Sequence, residues 1–136
     1  MANCVVCTPT ATPPRATLLY ALEVPEDNGR ILGDTLFASA VAAYDGLPED
    51  MKRRLDGLRA VHRVSGRRKK TGTGKEDNSL RDQQPDVIHP VIRTHPITGR
   101  KAIYVSEGEC IGILGMDDAE AVPLLNDLAR RVHRPE

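Results

Sequence analysis

A glycine followed by a hydroxyl-bearing residue, Gly33-Asp34-Thr35, is the strongest candidate for ligand chemistry in this chain. An apolar run at 16–24 predicts a strand before it, and small and apolar residues at 38–44 predict a helix after it. Such a junction presents a hydroxyl and unpaired backbone N–H groups to an anionic ligand. The same residues also fit a structural role, in which Gly33 makes the turn and Asp34 or Thr35 caps the helix.

The cysteines have only weak metal-binding character. Cys4 and Cys7 have CxxC spacing, and Cys110 could in principle complete a zinc site. No second CxxC or paired-histidine motif follows them, so we interpret the three thiols as incidental. Three is also an odd number and too few for a disulfide framework, which predicts a reducing, cytoplasmic location.

The four histidines do not form a recognisable ligand motif. His89 and His95 each precede a proline, and we interpret them as a strand-end residue and a turn residue. His62 and His133 stand apart from them in the sequence and are given structural roles. The sequence therefore predicts no metal-ligating residue and no catalytic residue in this chain.

A basic stretch at 66–75 is similar to a phosphate-binding loop but lacks its spacing. Lys69 stands where a glycine is required, and Glu76 follows Lys75 where a serine or threonine is required. Acidic residues come directly after it, so we interpret the stretch as a solvated loop. A nucleic-acid-binding loop remains the alternative.

Periodicity and turn residues divide the chain into seven regular elements and one long loop. The predicted elements are a strand at 16–24, a helix from near Thr35 to about Asp45, a helix from Pro48, a strand at 59–64, a hairpin joining 87–94 to 101–105, a short strand at 109–115, and a helix from a capping box at 117–120 to about Arg131. Residues 65–86 are polar and charged, which is typical of a lid or a binding loop.

Composition bounds the class of protein. The 136 residues are enough for one domain with a core, and that core must be aliphatic because aromatic residues make up only 3%. Nineteen basic and nineteen acidic side chains cancel, which disfavours nucleic acid or an anionic membrane as partner. No apolar run approaches the roughly 20 residues that span a bilayer.

Three blocks of sequence resemble the taurine dioxygenase family of Fe(II)- and 2-oxoglutarate-dependent oxygenases. They are residues 13–25 leading into 33–37, the block 89–105 that begins His-Pro-Val-Ile-Arg-Thr-His-Pro, and the closing helix with Arg-Pro-Glu at 134–136. The resemblance implies an α+β fold, a partial double-stranded β-helix (jelly roll) with flanking helices and a barrel incomplete at both ends. Residues 1–136 would form this single partial domain, with 65–86 as its lid.

The resemblance also implies a role for Thr35. In the family's Gly-Gly-Asp-Thr pattern the threonine hydroxyl contacts a carboxylate of 2-oxoglutarate, and Thr35 matches that position. The match is imperfect, because Gly29 and Gly33 are separated by Arg30, Ile31 and Leu32. Thr35 is therefore the one expected cofactor-binding residue.

The iron ligands of the family have no counterpart at the matching positions. The family's His-x-Asp precedes the Pro-Pro, but this chain has no histidine before His62 and no acidic residue before Glu23. In the family, the second ligand histidine and the arginine that anchors 2-oxoglutarate come after the segment that matches Arg-Pro-Glu at 134–136. We therefore expect a fragment or degenerate member that does not bind Fe(II) and 2-oxoglutarate productively or turn over alone. Intact relatives hydroxylate a small organic acid or sulfonate.

A non-catalytic binding or interaction module that retains part of the jelly roll is the alternative. The sequence does not settle the oligomeric state, and it leaves a homo-oligomer open. It also does not name the small-molecule substrate.

Overall fold

The computed structural model describes residues 11–13, 16, 18, 20–33, 36–63 and 85–133. Within these ranges the chain forms three helices and seven short strands. They are β1 (Glu26–Asp27), β2 (Arg30–Ile31), α1 (Ala40–Asp45), α2 (Glu49–Leu55), β3 (Arg59–His62), β4 (Val87–Pro90), β5 (Ile92–Thr94), β6 (Lys101–Ile103), β7 (Cys110–Ile113) and α3 (Asp118–His133).

All strand pairings in the described part are antiparallel, and they form separate small sheets. One sheet has the order β4-β3-β7, while β5 pairs with β6 and β1 pairs with β2. The described strands do not close a barrel. The fold is thus a mixture of helices and short strands, as the predicted α+β class requires.

Helix α3 packs against β7 of the three-stranded sheet and supplies much of the aliphatic core. Leu125 and Leu128 of this helix are fully buried. They pack with residues such as Leu55 of α2 and Val91 between β4 and β5. None of the described helices is long and apolar enough to cross a membrane.

The start of α3 confirms half of the predicted capping box. Asp117 caps the helix, because its Oδ1 accepts a hydrogen bond from the backbone N–H of Ala119 at 2.8 Å. The carboxylate of Glu120 accepts a hydrogen bond from Arg54 of α2 at 2.7 Å. The acidic side chain of the motif therefore links two helices.

The prediction of a buried strand at 16–24 is wrong for the residues that are described there. Positions 16, 18 and 20–24 form no strand, and Leu18, Tyr20 and Leu22 are almost fully exposed. An apolar run becomes a buried strand only where neighbouring strands pair with its backbone. None of the described strands pairs with it.

The region after it also differs from the prediction. Residues 25–32, which lie between the predicted strand and the predicted helix, contain the β1–β2 hairpin, whose turn residues Asn28 and Gly29 both have positive φ. Helix α1 begins at Ala40, five residues later than expected. Ser39 caps it, with Oγ accepting from the backbone N–H of Ala42 at 3.1 Å.

The hairpin predicted from 87–94 and 101–105 is confirmed only in part. Strands β5 and β6 pair as expected, but β4 pairs with β3. The change of partner occurs at buried Val91, whose N–H donates to the carbonyl oxygen of Leu58 and whose carbonyl accepts from the N–H of Tyr104. One continuous sequence pattern is thus divided between two sheets.

The other predicted elements are found close to their expected positions. Helix α2 follows Pro48, strand β3 begins at Arg59, and β7 lies inside the predicted strand at 109–115. Leu58 lies beyond the end of α2 and packs against the core. Residues 65–84 of the predicted lid lie outside the described residues.

Candidate functional site

The chain brings two buried histidines, a tyrosine and a cysteine together on the three-stranded sheet and beside it. We call His62, His89, Tyr104 and Cys110 the histidine cluster. The ring centroids of His62 and His89 are 5.3 Å apart, and Tyr104 lies 5.5 Å from the first and 5.4 Å from the second. The Sγ atom of Cys110 is 3.5 Å from Nδ1 and 3.6 Å from Nε2 of His62.

Strand register explains why these side chains meet. His89 of β4 lies opposite Ala60 of β3, and His62 stands two residues further along β3. Residues two apart in a strand share a face, so the two imidazoles are diagonal neighbours on one side of the sheet. On the other side of β3, His62 pairs with Cys110 of β7, at a register shift that follows Val61.

Burial controls the charge of the central histidine. His62 is only 3% exposed. Burial lowers the pKa of His62 to about 4, with a smaller electrostatic contribution from His89. The His62 imidazole is therefore neutral at pH 7.

The geometry does not favour nucleophilic chemistry at Cys110. A thiol beside a histidine can be activated when the imidazole takes its proton and both ions are stabilised. Here the thiol is fully buried, and the low pKa of His62 disfavours the imidazolium. We therefore interpret the cluster as a packing core with satisfied polar atoms.

Two ionisable residues adjoin the cluster, Arg93 in space and Glu109 in sequence. The guanidinium carbon of Arg93 lies 5.2 Å from the ring centroid of Tyr104, which is a cation–π distance. Glu109 precedes Cys110, and burial raises the pKa of its carboxyl group. Its Oε2 atom is buried and has no hydrogen-bond partner among the described residues.

The predicted roles of the histidines are partly confirmed. His95 is a turn residue, because its Nδ1 accepts hydrogen bonds from the backbone N–H groups of Ile97 and Thr98. His89 lies near the end of β4 but is also buried against His62, a contact that the sequence analysis missed. The alternation of side chains along β3 and β4 could have placed each histidine on a face of its strand. The register that brings the two histidines together could not be read from the sequence.

The Gly33-Asp34-Thr35 junction is described only at its first residue. Gly33 has a φ of 82°, a conformation that favours glycine, which agrees with its predicted turn role. Asp34 and Thr35, the expected cofactor-binding residue, lie outside the described residues. The expected capping of α1 by either of them is wrong, because Ser39 occupies that position.

The described residues do not fit an iron site. In the ranges that the structure describes, no three His, Cys, Asp or Glu side chains are arranged so that they could hold a metal ion. The CxxC pair, Cys4 and Cys7, lies outside those ranges. The buried histidines contact each other, the tyrosine and the thiol.

Comparison with known proteins identifies the family. Residues 8–136 match the family model of the taurine catabolism dioxygenases, described as the TauD, TfdA family. The chain is 34% identical over 127 residues to the alpha-ketoglutarate-dependent dioxygenase cnsM of Penicillium expansum, covering 93% of this chain and 34% of that protein. It is 37% identical over 122 residues to the alpha-ketoglutarate-dependent 2,4-dichlorophenoxyacetate dioxygenase of a Burkholderia species, covering 90% and 39%.

Comparison with solved structures indicates the same family. A crystal structure described as a putative alpha-ketoglutarate-dependent 2,4-D dioxygenase from Burkholderia xenovorans superposes with a TM-score of 0.63 at 31% identity, covering 73% of this chain and 38% of that one. AAD-2, crystallised with Mn(II) and N-oxalylglycine, gives a TM-score of 0.63 at 30% identity, covering 74% and 39%. The chain spans about a third of the length of the curated relatives named here. It belongs to the TauD, TfdA family of alpha-ketoglutarate-dependent dioxygenases.

Proposed function

We propose that this chain forms the 2-oxoglutarate-contacting part of an Fe(II)-dependent dioxygenase domain, and that it neither holds iron nor turns over by itself. Thr35 would contact a carboxylate of 2-oxoglutarate through its hydroxyl. The reaction of the complete domain would be oxidation of a small organic acid or sulfonate. The observation that carries the proposal is the family match over residues 8–136, which spans only about a third of the relatives.

The surroundings of Thr35 support its assignment. Helix α1 takes its cap from Ser39, so capping this helix does not require the threonine four residues earlier. Gly33 provides the left-handed backbone that a turn before Asp34 and Thr35 needs. A threonine hydroxyl is a suitable donor to a carboxylate, and such charge-assisted hydrogen bonds are stronger than neutral ones.

The positions of the described histidines support the proposal that this chain does not hold iron by itself. Two histidines and a carboxylate must converge on the metal with open positions beside them. His62 and His89 are instead buried within the histidine cluster. His95 is engaged in its own turn, and His133 ends α3 on the surface. No step of the reaction is therefore assigned to residues of this chain.

A chimeric enzyme tests the role of Thr35. The matched segment of the Burkholderia 2,4-dichlorophenoxyacetate dioxygenase is replaced by this chain, and 2-oxoglutarate affinity is measured with iron present. Thr35→Val should weaken 2-oxoglutarate binding about tenfold, the loss expected for one hydrogen bond to a charged group. Thr94→Val, on the exposed end of β5, is the matched control and should leave affinity unchanged.

Two results would contradict the proposal. A folded chimera that fails to bind 2-oxoglutarate would show that this segment does not fulfil the family role. Equal affinities for the chimera and its Thr35→Val variant would remove the threonine from the binding site.

A further inference from the structure

The histidine cluster lies where two of the small sheets meet. His62, His89 and Cys110 belong to β3, β4 and β7 of the three-stranded sheet, whereas Tyr104 directly follows β6 of the β5–β6 hairpin. The ring of Tyr104 lies against both imidazoles, with centroid distances of 5.5 and 5.4 Å. Within the cluster, the tyrosine therefore joins the hairpin to the three-stranded sheet.

The β5–β6 hairpin depends on such contacts for its position. Each of its strands has three residues, and a two-stranded hairpin is at best marginally stable by itself. Backbone hydrogen bonds attach it at Val91, whose N–H donates to the carbonyl oxygen of Leu58 at 2.9 Å and whose carbonyl accepts from the N–H of Tyr104 at 2.7 Å. Helix α1 packs against β6 and would share a movement of the hairpin.

A positive charge on His62 is incompatible with this packing. The ring is 3% exposed, and in the described part of the chain it contacts His89, Tyr104 and the Sγ atom of Cys110, none of which is an anion. Burying a charge without a partner is costly, so a protonated ring must become exposed to water. We propose that the histidine cluster is an acid-sensitive contact, at which protonation of His62 releases the β5–β6 hairpin from the three-stranded sheet while α3 stays packed against β7.

The ionisable groups around His62 do not offset its charge. His89 of β4 is itself a base, and Arg93 of β5, whose guanidinium carbon lies 5.2 Å from the centroid of Tyr104, is a cation. Burial raises the pKa of the Glu109 carboxyl group, so acidification removes its negative charge readily. Because burial lowers the pKa of His62 to about 4, the proton is taken up mainly by the opened state.

These contacts lie inside the chain, so they do not depend on surfaces that further polypeptide would cover. Tyr104 is the only member of the cluster that belongs to neither β3, β4 nor β7. Its withdrawal with the hairpin would expose the His62 ring and leave the three-stranded sheet and α3 in place. Opening of a part of a domain below the free energy of global unfolding is common in proteins.

Amide hydrogen exchange of the full chain, resolved by NMR at pH 7 and pH 5, tests the release. The reporters are the hydrogen-bonded N–H groups of Val91 and Tyr104 and, in α3, those of Leu125 and Leu128. After correction for the intrinsic exchange rate, protection of Val91 and Tyr104 should fall about twentyfold from pH 7 to pH 5, as pKa values of about 4 in the closed state and 6.5 in the opened state require.

Urea distinguishes local release from global unfolding. Exchange at Val91 and Tyr104 should be nearly insensitive to low urea concentrations, because a local opening exposes little surface. Exchange at Leu125 and Leu128 should be slower and should increase with urea, because these amides require global unfolding.

Two variants identify the titrating group. His62→Phe keeps a ring in the cluster, and protection of Val91 and Tyr104 should then become nearly independent of pH between 7 and 5. His89→Phe is the matched control, since it removes the other buried imidazole and should keep most of the fall. Circular dichroism confirms that each variant folds.

Four results would overturn the inference. Protection of Val91 and Tyr104 that stays constant from pH 7 to pH 5 would refute it. Exchange at these amides that follows urea as steeply as in α3 would show that the chain opens as a whole. Both of these comparisons need only the original chain. An equal fall in protection in His62→Phe, or loss of the fall in His89→Phe alone, would assign the effect to another group.

Discussion

Acidification should destabilise this protein through His62. The imidazole is 3% exposed and contacts His89, Tyr104 and Cys110. Its pKa is about 4 in the folded chain and 6.5 without that environment. Between these values the unfolded chain binds a proton that the folded chain does not, so lowering the pH favours unfolding. The stabilising effect is complete above pH 6.5 and is lost as the pH falls towards 4.

The size of the effect follows from the two pKa values. Each unit of difference corresponds to about 1.4 kcal/mol, so the full loss is about 3 kcal/mol. The steepest slope, about 1.4 kcal/mol per pH unit, lies between the two pKa values. Such a loss is a large part of the free energy of unfolding of a typical domain, which is roughly 5–15 kcal/mol.

Urea unfolding followed by circular dichroism at several pH values measures this effect. His62→Phe keeps a ring in the cluster but removes the titrating group, so its free energy of unfolding should fall less on acidification. Subtracting the two curves removes the contribution of carboxylates, which also titrate in this range. His133→Gln, at the exposed end of α3, controls for the loss of one histidine. Parallel curves for the original chain and His62→Phe would refute the reasoning.

Further variants test the packing of the core, the cap of α3 and a surface ion pair. Leu125→Ala should lower the free energy of unfolding by about 2–5 kcal/mol because the side chain is fully buried, whereas Ile97→Ala at an exposed position should change it by less than about 0.5 kcal/mol. Asp117→Ala should cost about 1 kcal/mol by removing the cap of α3, and Asp117→Asn should restore most of it; equal losses would exclude capping. Arg63→Met breaks an exposed two-bond ion pair with Asp86 and should cost less than about 1 kcal/mol, with a smaller effect at high salt.

Elements with strong local signals could be predicted from the sequence. The capping box at 117–120 located the start of α3, and Pro48 located the start of α2. These signals act within a few residues of the chain, so they do not depend on distant partners. The apolar run at 16–24 was an equally clear signal for a strand. A strand, however, forms only where neighbouring strands pair with its backbone, and none of the described strands pairs with this run.

Contacts that depend on register could not be predicted. The same alternating pattern runs through β4 and β5, and only the change of hydrogen-bond partners at Val91 separates them. The meeting of His62 and His89 likewise required the β3–β4 register. The role of Thr35 in binding 2-oxoglutarate was assigned from the resemblance to the family, and it stays a prediction.

An anaerobic titration of the purified chain with Fe(II) and 2-oxoglutarate tests the central claim most directly. The visible charge-transfer band of an iron–oxoacid complex reports a site that holds both, and circular dichroism in parallel reports that the protein is folded. We predict a folded protein and no band, since the described residues include no set of iron ligands. A band that saturates with 2-oxoglutarate would contradict the account and would require iron ligands that it does not assign.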